Sequence, residues 1–112
     1  MASFNKVLLV GNLTRAPELR YTSVGTPILG FGLACNRKFK QGDELKDEVL
    51  FIDCVEFGQT AETHAQAIDK GYQVLVEGRL QQRRWEGEDG QKHSKHEVVV
   101  EKMVYLTRKE PA

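Results

Sequence analysis

Residues 60–70 form the only stretch of this 112-residue chain that reads as a helix, and they fall between two blocks of strand-like sequence. Ala61, Ala65 and Ile68 share one face at i, i+4 and i+7, enough for one small contact with a core. Thr60 is placed to cap the helix, Glu62 suits its positive end, and Gly71 suits a left-handed exit. A lone short helix cannot cover both faces of a sheet. The strands must therefore close on each other or leave one face open.

The strand signals lie on either side. Residues 4–13 are an apolar run ending in Gly-Asn-Leu, and Gly11 within it suggests a bulge or a sharp bend. Pro17 interrupts, and alternation resumes at residues 18–22. A second strand covers about 28–39 and a third about 48–57, joined by a polar loop at 40–47. A fourth covers 72–85 and a fifth about 92–106, with Asp89-Gly90 supplying the turn. The order is three strands, one helix and two strands. This is the all-β order of the five-stranded OB barrel, with the helix between strands three and four. The last two strands exceed the usual five or six residues, so their hairpin should protrude. Closure also accounts for the strand glycines Gly11, Gly30, Gly32 and Gly78. The alternative is an open α+β sheet.

The length fits one domain, residues 1–112, large enough to bury a core without disulfides or metals. Cys35 and Cys54 stand apart in apolar runs and read as buried free thiols. No stretch has the roughly 20 apolar residues that a bilayer requires, and the N-terminus has no signal-peptide pattern. A cytoplasmic location with no membrane partner is expected. The net charge is zero but unevenly spread. Residues 1–40 carry six Lys/Arg and one Glu, whereas residues 41–70 carry two Lys and eight Asp/Glu. The zero total therefore says little about any one face.

The single tryptophan carries the strongest functional signal. On the fourth strand Tyr72, Val74, Val76, Gly78 and Leu80 share a face that turns polar at Gln82 and Arg84. The strand therefore leaves the core near Leu80. Trp85 is in phase with Arg79 and Arg83 on the side that is already polar. An exposed indole beside guanidinium groups suits an unpaired nucleotide, with the base stacked on the ring and the phosphate on the arginines. A tryptophan packed on its own hairpin, or at a subunit contact, fits the same pattern. On the third strand Val49, Phe51, Asp53, Val55 and Phe57 share a charge-interrupted face, leaving Leu50, Ile52 and Cys54 for the core. Phe51 and Phe57 then become surface platforms. Phe39 sits within Arg37-Lys38-Phe39-Lys40, among cations.

These residues lie in runs that resemble the bacterial single-stranded-DNA-binding protein family. The matching pieces are KVLLVGNLTRAPELRYT at 6–22, Val55-Glu56-Phe57-Gly58, KGYQVLVEGRL at 70–80, and Arg83-Arg84-Trp85. The resemblance implies an OB fold and a homotetramer wrapped by single-stranded DNA, with roles in replication, recombination and repair. It places stacking sites on Phe39, Phe51, Phe57 and Trp85, with Arg83 and Arg84 beside the last. Family members have tryptophan where this chain has Phe39 and Phe51, and often a basic residue where it has Gln59. The chain is expected to lack the family's acidic tail, since it stops at Lys109-Glu110-Pro111-Ala112, so recruitment of replication and repair proteins has no motif behind it.

An enzyme requires converging reactive groups. His93 and His96, three apart on a strand, point to opposite faces, and His64 lies on the helix's polar side. Asp43, Glu44, Asp47 and Glu48 read as a solvated turn. No cofactor or metal motif stands out. The second reading is an OB-fold adaptor of a replication-restart (primosomal) complex. A dimer that needs a partner protein would favour it, and a tetramer that wraps DNA would favour the first.

Overall fold

The computed structural model describes residues 1–107. Their elements run β1 (Val7–Leu13), β2 (Glu18–Tyr21), β3 (Pro27–Gln41), β4 (Glu44–Phe57), α1 (Gln59–Ala67), β5 (Gln73–Glu86) and β6 (Lys92–Tyr105). Five strands close a barrel. β1 pairs with β5, β5 with β6, β6 in parallel with β4, β4 with β3, and β3 returns to β1 at Asn12–Ala34 and Leu13–Leu33. This is the all-β OB barrel of the sequence reading, with its helix after the third barrel strand. β2 is a sixth, short segment that resumes after Pro17 and pairs with the start of β3 from Glu18–Gly30 to Tyr21–Pro27.

Alternation supplies the core. Leu29, Phe31 and Leu33 of β3, Cys54 of β4, Val74 and Val76 of β5, and Val98 and Val100 of β6 point inward and are buried. Full burial of each larger side chain is worth about 1.5–3 kcal/mol. Two glycines allow the closure. A Cβ on Gly11 would lie 2.8 Å from the Ala34 carbonyl oxygen, and one on Gly78 would overlap the Val99 carbonyl. The β5–β6 ladder also shifts register at Glu77/Gly78, a bulge that bends the long hairpin away from the barrel. At that exit Asn5 pins the strand. Its amide donates to the Leu80 carbonyl at 2.7 Å and accepts from the Leu80 N–H at 2.9 Å. β1 itself starts at Val7, three residues later than the apolar run suggested.

Several local expectations give way to tertiary effects. The polar stretch 40–47 is mostly strand. Arg37 opposes Glu48, Lys38 opposes Asp47 and Lys40 opposes Leu45, so β3 and β4 turn over on Gly42-Asp43 alone. Polar composition reads as loop, but both strands of a protruding ribbon can be solvated. Gly58, not Thr60, precedes the helix, at φ 97° and with no side-chain cap. The helix ends at Ala67, so Gly71 (φ 86°) serves the turn into β5. The predicted inward face holds at Ala61 and Ile68. Leu50, assigned to the core, is exposed because the ribbon has left the barrel there. His64 does not face solvent. Its Nδ1 lies 2.6 Å from Oε1 of Glu56, which is 2% exposed, and its ring meets Tyr105 edge-on. The expectation about residues 109–112 falls outside the described residues.

Candidate nucleic-acid interface

Register aligns one outer face across four strands. Gln81 opposes Glu97, Arg83 opposes Lys95 and Trp85 opposes His93, so these six side chains project on one side of the β5–β6 ribbon. The Asp53–Glu97 pairing carries that side onto β4, where Phe51, Asp53, Val55 and Phe57 follow. Their partners on β3 are Ala34, Gly32, Gly30 and Ile28. The small residues keep this part of the face low. Gly32 matters most, because a Cβ there would stand 2.6 Å from a guanidinium nitrogen of Arg15. Arg15 therefore lies flat over the sheet. Arg15, Phe51, Asp53 and Lys95 line a groove of about 380 Å³, and an adjoining hollow of about 280 Å³ adds Arg20, Arg83 and Glu97.

The aromatics differ in presentation. Phe51 is 71% exposed and Phe57 49%. Trp85 is 43% exposed. Its ring stacks on His93 with centroids 5.6 Å apart and planes at 22°, and the Arg83 guanidinium carbon sits 5.1 Å from its ring centre. Packing on its own hairpin and a free aromatic surface thus coexist at Trp85. Arg79 lies on the same side, two residues before Gln81. Phe39 is not brought to this face. Alternation puts it with Leu33 on the opposite side of the β3–β4 ribbon, half-buried, with the Arg37 guanidinium 4.8 Å from its ring centre. Lys38 returns to the Phe51 side. Arg84 falls on the far side of its hairpin and donates to the Gln82 side chain at 3.0 Å.

A model of the single-strand binding protein family matches residues 4–106. The chain belongs to that family. It is 48% identical over 107 residues to the single-stranded DNA-binding protein of Wolinella succinogenes, covering 95% of this chain and 66% of that one. With the Helicobacter pylori protein of the same name the identity is 43%, over 95% of this chain and 60% of the relative. Such relatives are longer, and the chain spans about two thirds of their length or less. Among solved structures, a deletion mutant of the single-stranded DNA binding protein from Thermus aquaticus superposes with a TM-score of 0.83. It is 32% identical, over 93% of this chain and 51% of that one. The Plasmodium falciparum SSB in complex with ssDNA shares the fold, with a TM-score of 0.86 at 24% identity over 96% of this chain and 98% of that one.

In this family member the cations of the face are held by carboxylates. Lys95 Nζ donates to Asp53 Oδ2 at 3.0 Å, and Arg15 Nη2 lies 3.5 Å from Asp53 Oδ1. Buried Glu97 accepts from Gln81 at 3.2 Å and sits 3.9 Å from Arg83 and 4.0 Å from Lys95. The hydrogen bond from Lys95 draws the Asp53 carboxyl below its ordinary range, against the opposing effect of partial burial, and the charges of Lys95 and Arg15 add to the drop. Under the face, burial pushes the Cys54 thiol up to about 12. Arg15, Arg20, Lys95 and His93 were absent from the sequence-based set. Only the barrel brings Arg15, from a turn before Pro17, over β3. His93 could have been found by pairing it with Trp85 across the Asp89-Gly90 turn.

Proposed function

We propose that this chain binds single-stranded DNA along this outer face with little sequence preference. Bases stack on Phe51, Phe57 and Trp85, and phosphates meet Arg15, Arg79, Arg83 and Lys95. The observation that carries the proposal is the run of exposed aromatics interleaved with cations on one register-aligned face. Stacking accepts any base because every base has a π-face. Phe39 with Arg37 and Lys38, and Arg84 on the hairpin's far side, are contacts for a strand that continues around the protruding ribbons. The relatives' name and the resemblance support a role in coating single strands during replication, recombination and repair.

The same reading includes self-association. Leu8 and Val10 of β1 point outward and are exposed, beside Leu75 and Val104 on the neighbouring strands. A stripe of this kind on an outer sheet face suits burial against a second copy, as a dimer or as the homotetramer that the resemblance implies. Titration of tryptophan fluorescence with oligothymidylate, beside a duplex of equal length, tests the binding. Strong preference for the single strand is expected, and equal affinity would overturn the reading. Light scattering at micromolar concentration should give at least a dimer. A monomer would overturn the assembly.

A further inference from the structure

We infer that Asp53 is an internal competitor of DNA phosphate, holding Arg15 and Lys95 by the carboxylate contacts that a bound strand has to replace. The inference rests on the proposed binding of single-stranded DNA at this face.

Asp53 lies on the outer row of β4 between the exposed rings Phe51 and Phe57, in the middle of the path assigned to the strand. One carboxylate oxygen meets the Lys95 ammonium at 3.0 Å and the other faces the Arg15 guanidinium at 3.5 Å. Two oxygens on one centre thus bridge two cations, the arrangement that the two free oxygens of a phosphodiester would adopt. The two acids of the face are not equivalent. The Glu97 side chain is 9% exposed and is held by its cross-strand neighbour Gln81, whereas that of Asp53 is 41% exposed and within reach of an incoming strand. Gly32, with no side chain under Arg15, lets the guanidinium lie down onto the carboxylate.

The charges of the cluster set the consequence. Arg15, Lys95 and Arg83 supply three positive charges, and Asp53 and Glu97 remove two. The face therefore attracts phosphate far less than its cations suggest. When a phosphate takes Lys95 and Arg15, the freed carboxylate gathers counterions from solution. That uptake offsets part of the release on which salt-dependent affinity depends.

The test compares Asp53→Asn, and Asp53→Ser as a second neutral variant, with the unaltered chain. The readouts are oligothymidylate affinity across a salt series and thermal melting. Both variants should stay folded, because exposed ion pairs add little to stability. Affinity at low salt should rise roughly two- to tenfold, the range of one or two such pairs. The plot of log affinity against log salt should steepen, because no freed carboxylate is left to take up counterions when the strand binds. Unchanged or weaker binding by a folded variant, with an unchanged or shallower slope, overturns the inference and makes Asp53 a group that aims Arg15 and Lys95. Failure of the unaltered chain to bind would remove the function reading, and the inference with it.

Discussion

Trp85 and His93 face each other across the β5–β6 ribbon, their rings 5.6 Å apart and tilted by 22°, with the Arg83 guanidinium beside the indole. This cross-strand stack holds the indole at the ribbon surface, where burial against the core is out of reach, and leaves 43% of the residue open. Trp85→Ala should lose about 1–3 kcal/mol of single-strand affinity, the worth of a base–aromatic stack, with an unchanged salt slope. His93→Ala should lose less, through a looser indole. Melting temperature should hardly move for either. A sharp drop in melting with intact affinity for Trp85→Ala would make the ring a structural group only.

Arg83 should fail in a different way. Its contacts are the indole and, at 3.9 Å, the Glu97 carboxylate. Arg83→Ala should weaken binding and flatten the log affinity–log salt plot by about 0.7, one single-strand phosphate contact. Titration over 50–300 mM salt checks it. An unchanged slope would place Arg83 outside the phosphate path.

Glu56 and His64 test the base of the barrel. Glu56 is buried, and the imidazole nitrogen 2.6 Å away satisfies it. His64→Ala should cost about 1–3 kcal/mol, because the buried acid is left without its hydrogen-bond partner. Glu56→Leu with His64→Leu should recover most of that loss, since an apolar replacement of a buried pair is often neutral. Urea denaturation of the three chains checks both expectations, and single-strand affinity should stay the same in all of them.

Cys54 gives a pH dependence. Burial in the core pushes its thiol up to about 12. In the unfolded chain it ionises near 8.5. The folded state therefore holds its proton longer, and stability falls as pH rises above the unfolded value, until the folded thiol ionises too. One such group contributes a slope of at most about 1.4 kcal/mol per pH unit. Cys54→Ala loses packing but also this dependence. The stability gap between the two chains should accordingly narrow by about 1.4 kcal/mol between pH 7.5 and 9.5. Denaturation at the two pH values measures it, and a constant gap would mean that the thiol ionises alike in both states.

Local periodicity and backbone rules made part of this molecule legible in the chain alone. The inward residues Val74 and Val76 of β5 follow from alternation alone, because a pleated strand sends neighbours to opposite faces. The close approaches at Gly11 and Gly78 were visible as glycines inside apolar runs. The departure of β5 from the core near Leu80 showed as the point where both faces turn polar, and Trp85 beyond it was legible as a residue outside the core. Whatever depends on which strands become neighbours came only with the closed barrel. Arg15 reaches the face because β1 crosses onto β3, and Lys95 does so because β6 runs parallel to β4. No local pattern encodes either pairing. The same holds for the burial of His64 on Glu56 and for the bridge that Asp53 makes. The Asp53 bridge needs groups distant in the chain to arrive within 3.0–3.5 Å, which barrel closure decides, whereas the Glu56–His64 contact needs α1 to fold back onto the end of β4.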